Sequence, residues 1–358
     1  MAHTETHVTG GVDTHKDTHT AAALDQHGRE LGTRQFPATA RGYRALLTWL
    51  AGFGTLDQVG IEGTSSYGTG LTAYLTNQHI PVLEIDRPDR ATRRRQGKSD
   101  PLDALSAART AQAGKHPVTP KHHDGPVEAL RALHVARRSA VDQRADTQRQ
   151  IKSLIITAPE RLRARLRPLT DTHLIPTLAA LDPDPTRTGD PTTATQLALR
   201  SLARRHQNLT AEIKDLQAHI NPLLEAINPQ LLQVYGIGPE IAAKLLICTG
   251  QNPERLRTEA TFAMLTGTAP LPASSGLTDR HRLNRGGDRQ ANSALYRIAL
   301  TRLAWHQPTQ DYMKRRTTEG LSKKEIIRCL KRYIAREIYP ILTNSHAHAT
   351  QNDLTLAT

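Results

Sequence analysis

The stretch GVDTHKDTHTAAALDQHGRELG, from Gly11 to Gly32, decides how this chain begins to fold. Its pattern predicts a strand over residues 8–13 and hairpin neighbours over 18–24 and 30–36, with a turn at the DQHG of 25–28. Asp13 interrupts the pattern, because a buried strand favours an apolar residue at that position. The stretch therefore predicts three adjacent strands, with a carboxylate at the end of the first.

Alternating helical and strand patterns follow. TARGYRALLTWLAGFG (39–54) and SYGTGLTAYLTNQH (66–79) have the spacing of helices. DQVGIEG (57–63) and IPVLEID (80–86) read as buried strands. Three leading strands followed by alternating helix and strand predict a mixed α/β sheet.

Two long, charged helical patterns at residues 124–156 and 193–227 come next. The proline-rich ALDPDPTRTGDPTT (180–193) between them cannot continue a helix, which predicts two antiparallel helices joined by an irregular tip. The predicted fold class is α/β plus α. Its parts are an α/β domain at 1–122, coiled-coil helices at 123–228, a mostly helical domain at 229–343 and a disordered tail at 344–358.

The composition of the 358 residues excludes several classes of protein. No apolar run approaches the roughly 18 residues that span a bilayer, and the N-terminus lacks the form of a signal peptide. We therefore expect a cytoplasmic, nucleoid-associated protein with no membrane partner. Cys248 and Cys329 are the only cysteines, which excludes a disulfide framework and a cysteine-built metal site.

Charge points to nucleic acid as the partner, since the formal net charge is +13. The cations cluster in RPDRATRRRQGK (87–98), which supplies Arg93, Arg94, Arg95 and Lys98, and again between Met313 and Arg332. Only 4% of the residues are aromatic, which favours phosphate contacts over base-stacking platforms.

Four carboxylates occupy positions that suit a metal site. Asp13 and Glu62 end two predicted strands of one open sheet, and Asp100 and Asp103 share a helix face. Such groups repel one another unless a cation lies between them, and Mg²⁺ prefers carboxylate oxygens and phosphates. Two such ions would stabilise the attacking and leaving oxygens of a phosphoryl transfer.

Each of these residues also has a simpler interpretation. Asp13 is compatible with a turn, Glu62 with a surface position, and Asp100 with the N-cap of a helix that places Asp103 at its third position. Taken together, the strand-Asp, strand-Glu, helix-Asp-x-x-Asp order favours the geometry of ribonuclease-H-like nucleases. The histidines at 15, 19, 122 and 123 are predicted to lie at the surface, with His15 as the one able to assist the site.

The C-terminal region contains two further candidate features. VYGIGPEIAAKLL (234–246) is typical of a helix-hairpin-helix, in which Gly236 and Gly238 let the backbone approach a phosphate, or equally of a glycine C-cap followed by a new helix. Downstream, GTAPLPASSGLTD (267–279) is a loop with two serines. Arg282, Arg285 and Arg289 after this loop are candidates for phosphate contacts, or simply belong to a solvated basic loop.

Five segments, in order, resemble the DEDD-type insertion-sequence transposases of the insertion-sequence one-ten family and the related Piv-type DNA invertases. These segments are GVDTHKDTH, VGIEGTSSYG, KSDPLDALSAAR, VYGIGPEIAAKLL and FAMLTGTAPLPASSG, and the resemblance covers nearly the whole chain. It implies a RuvC-like N-terminal domain, a coiled-coil insertion and a C-terminal transposase domain.

The resemblance also implies roles for particular residues. By it, Asp13, Glu62, Asp100 and Asp103 bind Mg²⁺, with Mn²⁺ as an alternative, and Ser275 is the nucleophile that forms a phosphoserine-DNA intermediate. Ser274 adjoins Ser275, so a shift of one residue would exchange their roles. The implied partners are donor and target DNA, a structured non-coding guide (bridge) RNA, and further copies of the chain in dimers that pair into a tetramer with composite active sites.

Two other functions remain open from the sequence. A RuvC-like junction nuclease would use the four carboxylates with water as the nucleophile and would form no covalent intermediate. A non-enzymatic nucleic-acid-binding protein would keep the basic surface and would not need the carboxylates.

Overall fold

A computed structural model describes residues 6–85, 99–114, 118–274, 276 and 281–344 of the chain. It divides the chain into two compact units. The first unit contains residues 1–125 and 249–265, and the second contains residues 126–248 and 266–358.

The first unit is built on a five-stranded sheet. Its strands are β1 (His7–Thr14), β2 (Thr18–Asp25), β3 (Glu30–Pro37), β4 (Thr55–Glu62) and β5 (Val82–Ile85), in the order β3-β2-β1-β4-β5. The first three strands pair antiparallel, and β4 and β5 continue the sheet in parallel beside β1. The turn between β2 and β3 closes through Asp25, whose side chain accepts from the backbone N–H groups of His27 and Arg29. The predicted hairpins and the mixed sheet are confirmed.

Helices cover both faces of this sheet. The helices α1 (Ala40–Ala51) and α2 (Thr69–Asn77) pack leucines such as Leu46 and Leu71 against the strand residues Val12 and Ile61. The opposite face carries α3 (Asp100–Gln112), whose alanines pack beside Ala22 of β2. Burying apolar side chains on both faces in this way stabilises a layered α/β unit.

Small residues bring α3 unusually close to the sheet. A Cβ added to Gly11 would lie 2.2 Å from the backbone nitrogen of Ala108 and 2.3 Å from the carbonyl oxygen of Ala104. At Gly60 of β4, an added Cβ would lie 2.7 Å from the carbonyl oxygen of Ala107. Only glycine on the strands permits this approach, which fixes the position of α3 over β1 and β4.

Long helices open the second unit. They are α4 (Gly125–Thr157), α5 (Glu160–Leu166), α6 (Asp171–Ala179), α7 (Pro191–Ile227), α8 (Pro229–Leu232) and α9 (Pro239–Thr249). Ile151 of α4 shares a core with Leu199 of α7, whereas the earlier Ala140 packs near the later Leu209, as antiparallel helices require. Residues 180–190 contain no α-helix, as predicted for the tip. The helices α5 and α6 before this stretch were not predicted, and their apolar residues extend the core between α4 and α7.

The remaining elements are divided between the two units. Residues 249–265 return to the first unit with α10 (Glu259–Leu265), and the buried Asn252 joins them to the chain near 120 by donating to the Pro120 carbonyl at 2.9 Å. The second unit ends with β6 (Leu271–Pro272), β7 (His281–Arg282), α11 (Arg289–Trp305), α12 (Gln307–Thr318) and α13 (Lys323–Asn344). Among the helices of the described ranges, none is both long and apolar enough for a bilayer crossing.

Candidate active site

Parallel pairing brings the ends of β1 and β4 together. Val12 is paired with Ile61, so Asp13 and Glu62 follow as the next residues at the carboxyl edge of the sheet. Because side chains alternate along a strand, Asp13 and Glu62 lie on the same face as Gly11 and Gly60, which is the face covered by α3. The hydroxyl of Thr14 donates to the Glu62 carbonyl at 2.7 Å and ties the two strand ends to each other.

The first turn of α3 lies at this same edge. The helix runs antiparallel to β1, since its last residue Gln112 donates to the Asp25 carbonyl opposite the start of β1. Ser99 is the N-cap, and its carbonyl accepts from the Asp103 N–H at 3.0 Å. Asp100 is therefore the first helical residue, and the interpretation of Asp100 as the N-cap is wrong. Asp103 lies one turn further along and is buried.

Asp13, His15 and Asp100 form a compact group. One potential ligand atom from each of the three lies within 4.8 Å of the other two. His15 lies between the carboxylates, with Nδ1 at 3.7 Å from Asp13 Oδ2 and Nε2 at 4.0 Å from Asp100 Oδ1. Asp13 is buried, whereas the side chains of His15 and Asp100 are 44% and 42% exposed. The group is thus anchored in the sheet and open to solvent on one side.

This donor set fits a divalent cation. Carboxylate oxygens suit Mg²⁺ and Mn²⁺, and an imidazole nitrogen suits the later transition metals. The protein places two carboxylates and one imidazole together at the edge where Glu62 and Asp103 also lie. Of the four carboxylates predicted from sequence, the structure groups Asp13 and Asp100 within ligand distance and adds His15 to them.

The prediction that His19 is a surface residue is wrong. His19 is fully buried, and its ring stacks on that of Tyr43 with the centroids 5.6 Å apart and the planes 8° from parallel. Burial lowers the pKa of His19, against a smaller opposing effect of its hydrogen bond with the Thr18 carbonyl. Tyr43 belongs to the core on the α1 side of the sheet, so His19 has a packing role away from the carboxylates.

A glycine turn shapes the chain directly after Glu62. Gly63 has φ +76°, and its carbonyl accepts from the N–H groups of Ser66 and Gly68. A Cβ at Gly63 would lie 3.1 Å from the Thr14 hydroxyl oxygen, a tight contact that adds to the strain of the positive φ for any other residue. The next residue, Thr64, is fully buried, and its hydroxyl has no hydrogen-bond partner among the described residues.

The predicted nucleophile and basic loop are described only in part. Ser274 is exposed in the segment after β6, whereas Ser275 lies outside the described residues, as do the four cations predicted at 93–95 and 98. Arg282 lies in β7 and Arg289 begins α11, and both are exposed together with Arg285 between them. Their surface positions suit the contacts with phosphates that we predict for them.

The glycine turn of the second unit joins α8 to α9. Gly236 has φ +88°, and the Gly238 carbonyl accepts from the Ile241 and Ala242 N–H groups. Gln233 is the C-cap of α8, so Gly236 lies three residues beyond it and is not a glycine cap. A Cβ at Gly238 would meet open space, which leaves its backbone accessible for the predicted phosphate contact.

Ion pairs fix the first turn of α9 in the second unit. Glu240 accepts hydrogen bonds from Arg137 at 2.6 Å and His134 at 3.2 Å, and Lys244 Nζ lies 2.9 Å away. Burial alone would raise the pKa of Glu240, but the hydrogen bonds and charges of His134 and Lys244 lower it to about 2. This cluster joins α9 to α4.

Comparisons with known proteins identify two family models. A transposase model for the DEDD type of IS110 matches residues 10–157, and a model described as "Transposase IS116/IS110/IS902 family" matches residues 228–314. The first match contains all four predicted carboxylates, and the second contains the predicted serine loop. No curated protein matches the chain.

Proposed function

Because this chain belongs to the IS110 family of insertion-sequence transposases, we propose that it cuts and rejoins DNA strands by phosphoryl transfer at the carboxylate edge of its first unit. As a transposase, it is an enzyme that acts on DNA. The observation that carries the proposal is the convergence of Asp13, His15 and Asp100 where β1 ends and α3 begins. The strand order and the position of α3 support interpreting this unit as RuvC-like.

The carboxylates hold the metal in this proposal. Asp13 is the anchor, since it is buried at the end of a central strand and cannot retreat into solvent. Asp100 and His15 offer ligand atoms beside Asp13. We propose that Glu62 and Asp103, at the same edge of the sheet, complete the set. We propose Mg²⁺ as the ion, with Mn²⁺ as its substitute. A divalent cation bound here would stabilise negative charge on the attacked phosphate.

We propose Ser275 as the nucleophile, with Ser274 as the alternative. The serine oxygen attacks phosphorus and gives its proton to a base, while the bond from phosphorus to the leaving DNA oxygen breaks and that oxygen is protonated. The product is a phosphoserine ester, which keeps the energy of the phosphodiester bond for rejoining. Attack by the hydroxyl of another DNA strand then reverses these steps and releases the serine.

We further propose that a structured guide RNA and both donor and target DNA bind the chain, which assembles as a tetramer of two dimers. The net charge of +13 and the exposed arginines after β7 support binding of nucleic acid, whereas the guide RNA and the tetramer rest on the family resemblance. The expected finding is one RNA species that copurifies with the chain and is released by salt. Copurification of bulk cellular RNA alone would contradict a dedicated guide.

Denaturing gel electrophoresis of labelled DNA, with copurified RNA and Mg²⁺, tests the chemistry. Wild type should form a protein–DNA adduct that survives denaturation, and Ser275→Ala should lose both the adduct and strand exchange. Ser274→Ala is the matched control and should keep both. Asp13→Asn and Asp103→Asn should bind DNA without cutting it.

Three other outcomes of this assay would change the proposed chemistry. An adduct in Ser275→Ala that is missing in Ser274→Ala would move the nucleophile by one residue. Cutting without an adduct in any protein would favour water as the nucleophile, as in a junction nuclease. Cutting by both carboxylate variants at the rate of wild type would remove the metal site from the proposal.

A further inference from the structure

A cationic cavity lies in the second unit, apart from the carboxylates. Its volume is about 960 Å³, and its walls are residues 267–270, residues 281–284 and one side of α12 and α13. We call this space the α13 cleft. Ser274 follows the wall at 267–270 in the chain and does not itself line the α13 cleft.

The α13 cleft is strongly positive. The lining of the cleft contains one carboxylate, Glu325, and six cations. These cations are Arg282, Arg316, Arg328, Lys331, Arg332 and Arg336. Glu325 is engaged at the start of α13, where it accepts from the N–H and hydroxyl of Ser322 and lies 3.7 Å from Arg328. Arg316 pairs with Glu319. Among the described residues, the six cations of the lining outnumber the two carboxylates, Glu325 and Glu319, that lie beside them.

The surroundings of Lys331 and Arg332 lower the pKa values of both residues. Lys331 is buried, and burial together with the charge of Arg328 lowers its pKa. Burial and the charge of Arg336 lower the pKa of Arg332 in the same way. Burial first, and the neighbouring cations second, disfavour the charged form of these two residues, and an anionic ligand in the cleft would favour it.

The α13 cleft also contains an exposed aromatic ring. Tyr333 is 52% exposed and lines the cavity between cationic side chains. Its ring is held at 87° to that of Tyr312, with the centroids 5.8 Å apart, and Arg315 lies over Tyr312. A braced, exposed aromatic ring among cations is the combination by which proteins bind unpaired nucleotides, with bases stacked on the ring and phosphates on the cations.

We propose that the α13 cleft binds a single-stranded segment of nucleic acid, with its phosphates on the cations of α13 and one base stacked on Tyr333. The proposal rests on the proposed function, in which the chain processes DNA strands. A cavity of about 960 Å³ has room for a few unpaired nucleotides. The strand is either DNA opened at the reaction site or an unpaired part of an RNA.

A hydrogen-bond network connects this binding to the serine loop. Lys331 donates to the side-chain oxygen of Asn292 at 2.9 Å, and Asn292 donates to the Thr266 carbonyl at 2.7 Å. Thr266 begins the segment that leads through β6 to Ser274. A strand held on α13 is thereby positioned relative to the base of that loop.

Fluorescence anisotropy with labelled single-stranded DNA, single-stranded RNA and duplex DNA tests the proposal, using the full chain without divalent metal. Tyr333→Leu should weaken binding of a single strand by about tenfold and leave the salt dependence and duplex binding unchanged. The double variant Arg328→Gln with Arg336→Gln should also weaken it, and should reduce the slope of log affinity against log salt by about 1.4.

Two matched controls separate these effects from general loss of charge or folding. Tyr296→Leu removes an exposed tyrosine of α11, and Lys323→Gln with Lys324→Gln removes two cations of α13, and none of these residues lines the α13 cleft. Both controls should bind the single strand as wild type does. Whichever of the DNA and RNA strands shows the larger effect of Tyr333→Leu identifies the source of the ligand.

Equal binding by Tyr333→Leu and Tyr296→Leu would overturn the proposal, and so would an equal loss for duplex and single strand. Because the assay contains no divalent metal, its outcome is independent of strand cleavage. A chain that binds as expected and never cuts DNA would refute the proposed function alone.

Discussion

Replacing Gly11 with alanine should disturb the candidate active site, although the added methyl group contacts none of the side chains of that site. In Gly11→Ala, the new Cβ would lie 2.2 Å from the Ala108 nitrogen. Ordinary contact begins at 3.4 Å, so α3 must withdraw from β1 by about 1.2 Å. Because the helix moves as a rigid element, Asp100 and Asp103 withdraw with it from Asp13.

Two effects of known size follow. Overpacking of this kind costs about 1–3 kcal/mol of unfolding free energy. A displacement of about 1 Å in reacting groups costs about 100-fold in rate, so we expect strand cleavage to fall by that order. The loss of rate should exceed what the loss of stability explains, because the folded fraction remains near one.

Urea unfolding followed by tryptophan fluorescence measures the first effect. Trp49 and Trp305 are the only tryptophans, so in a Trp305→Phe background the signal comes from Trp49 in the first unit. Gly10→Ala is the matched control, because its Cβ meets the end of the Leu50 side chain at 3.0 Å on the other face of the sheet. It should lose some stability and keep the cleavage rate. Wild-type stability and rate in Gly11→Ala would refute the packing argument.

Three further predictions concern other parts of the chain. Lowering the Glu240 pKa from 4.5 to about 2 corresponds to about 3 kcal/mol, which solvent reduces to about 1 kcal/mol at this 39% exposed side chain. This contribution to the free energy of unfolding is present above pH 4.5 and is lost as pH falls towards 2. Urea unfolding should therefore show Glu240→Gln to be less stable than wild type at pH 7 and nearly equal to it near pH 2. A difference in stability that does not change with pH would contradict this. Arg302→Lys should lower the free energy of unfolding by about 1–3 kcal/mol in the same assay, because lysine cannot reproduce the two hydrogen bonds of 2.7 and 2.8 Å to Glu337. Unchanged stability would show that this ion pair contributes nothing. Thr64→Val should be neutral or stabilising by up to about 1 kcal/mol, because the buried hydroxyl has no partner among the described residues, and a clear loss of thermal stability would reveal a role for it.

The sheet of the first unit was predictable because its signals are local. Short strand-like runs at 8–13, 18–24 and 30–36 and the DQHG turn indicate the hairpins, and the helical spacing of 39–54 indicates α1. The N-cap of α3 was not predictable in this way, since Ser99 and Asp100 are adjacent and both are good capping residues before Pro101. Only the tertiary position of the helix distinguishes them.

The sequence indicates the candidate carboxylates and singles out His15 beside Asp13, but it does not show that His15 meets Asp100. Asp13 and Glu62 follow buried strands, which the sequence shows directly. His15 joins Asp100 through a turn and a helix start that are 85 residues apart, and no local pattern indicates that meeting. The burial of His19 was indicated by the sequence, because residues 19, 21 and 23 lie on the same face of β2 and both alanines are buried.

Composition does not locate the aromatic ring of the α13 cleft. An aromatic content of 4% favours phosphate contacts over base-stacking platforms, and this stays a prediction beside the single stacking contact that we propose for Tyr333. A percentage counts rings over the whole chain and does not locate them. The folded position of one half-exposed ring carries more information than the average.

The most direct test of the carboxylate site is the metal dependence of strand cleavage by Asp13→Cys. A thiolate is a poor ligand for Mg²⁺ and a better one for softer ions, so cleavage should fall on the order of 100-fold in Mg²⁺ and recover in part with Mn²⁺ or Zn²⁺. Asp17→Cys is the control, because Asp17 is exposed in the same β1–β2 turn and lies outside the Asp13–His15–Asp100 group, and it should cut with Mg²⁺ as wild type does. Cleavage by Asp13→Cys in Mg²⁺ at the wild-type rate would contradict a metal held by Asp13.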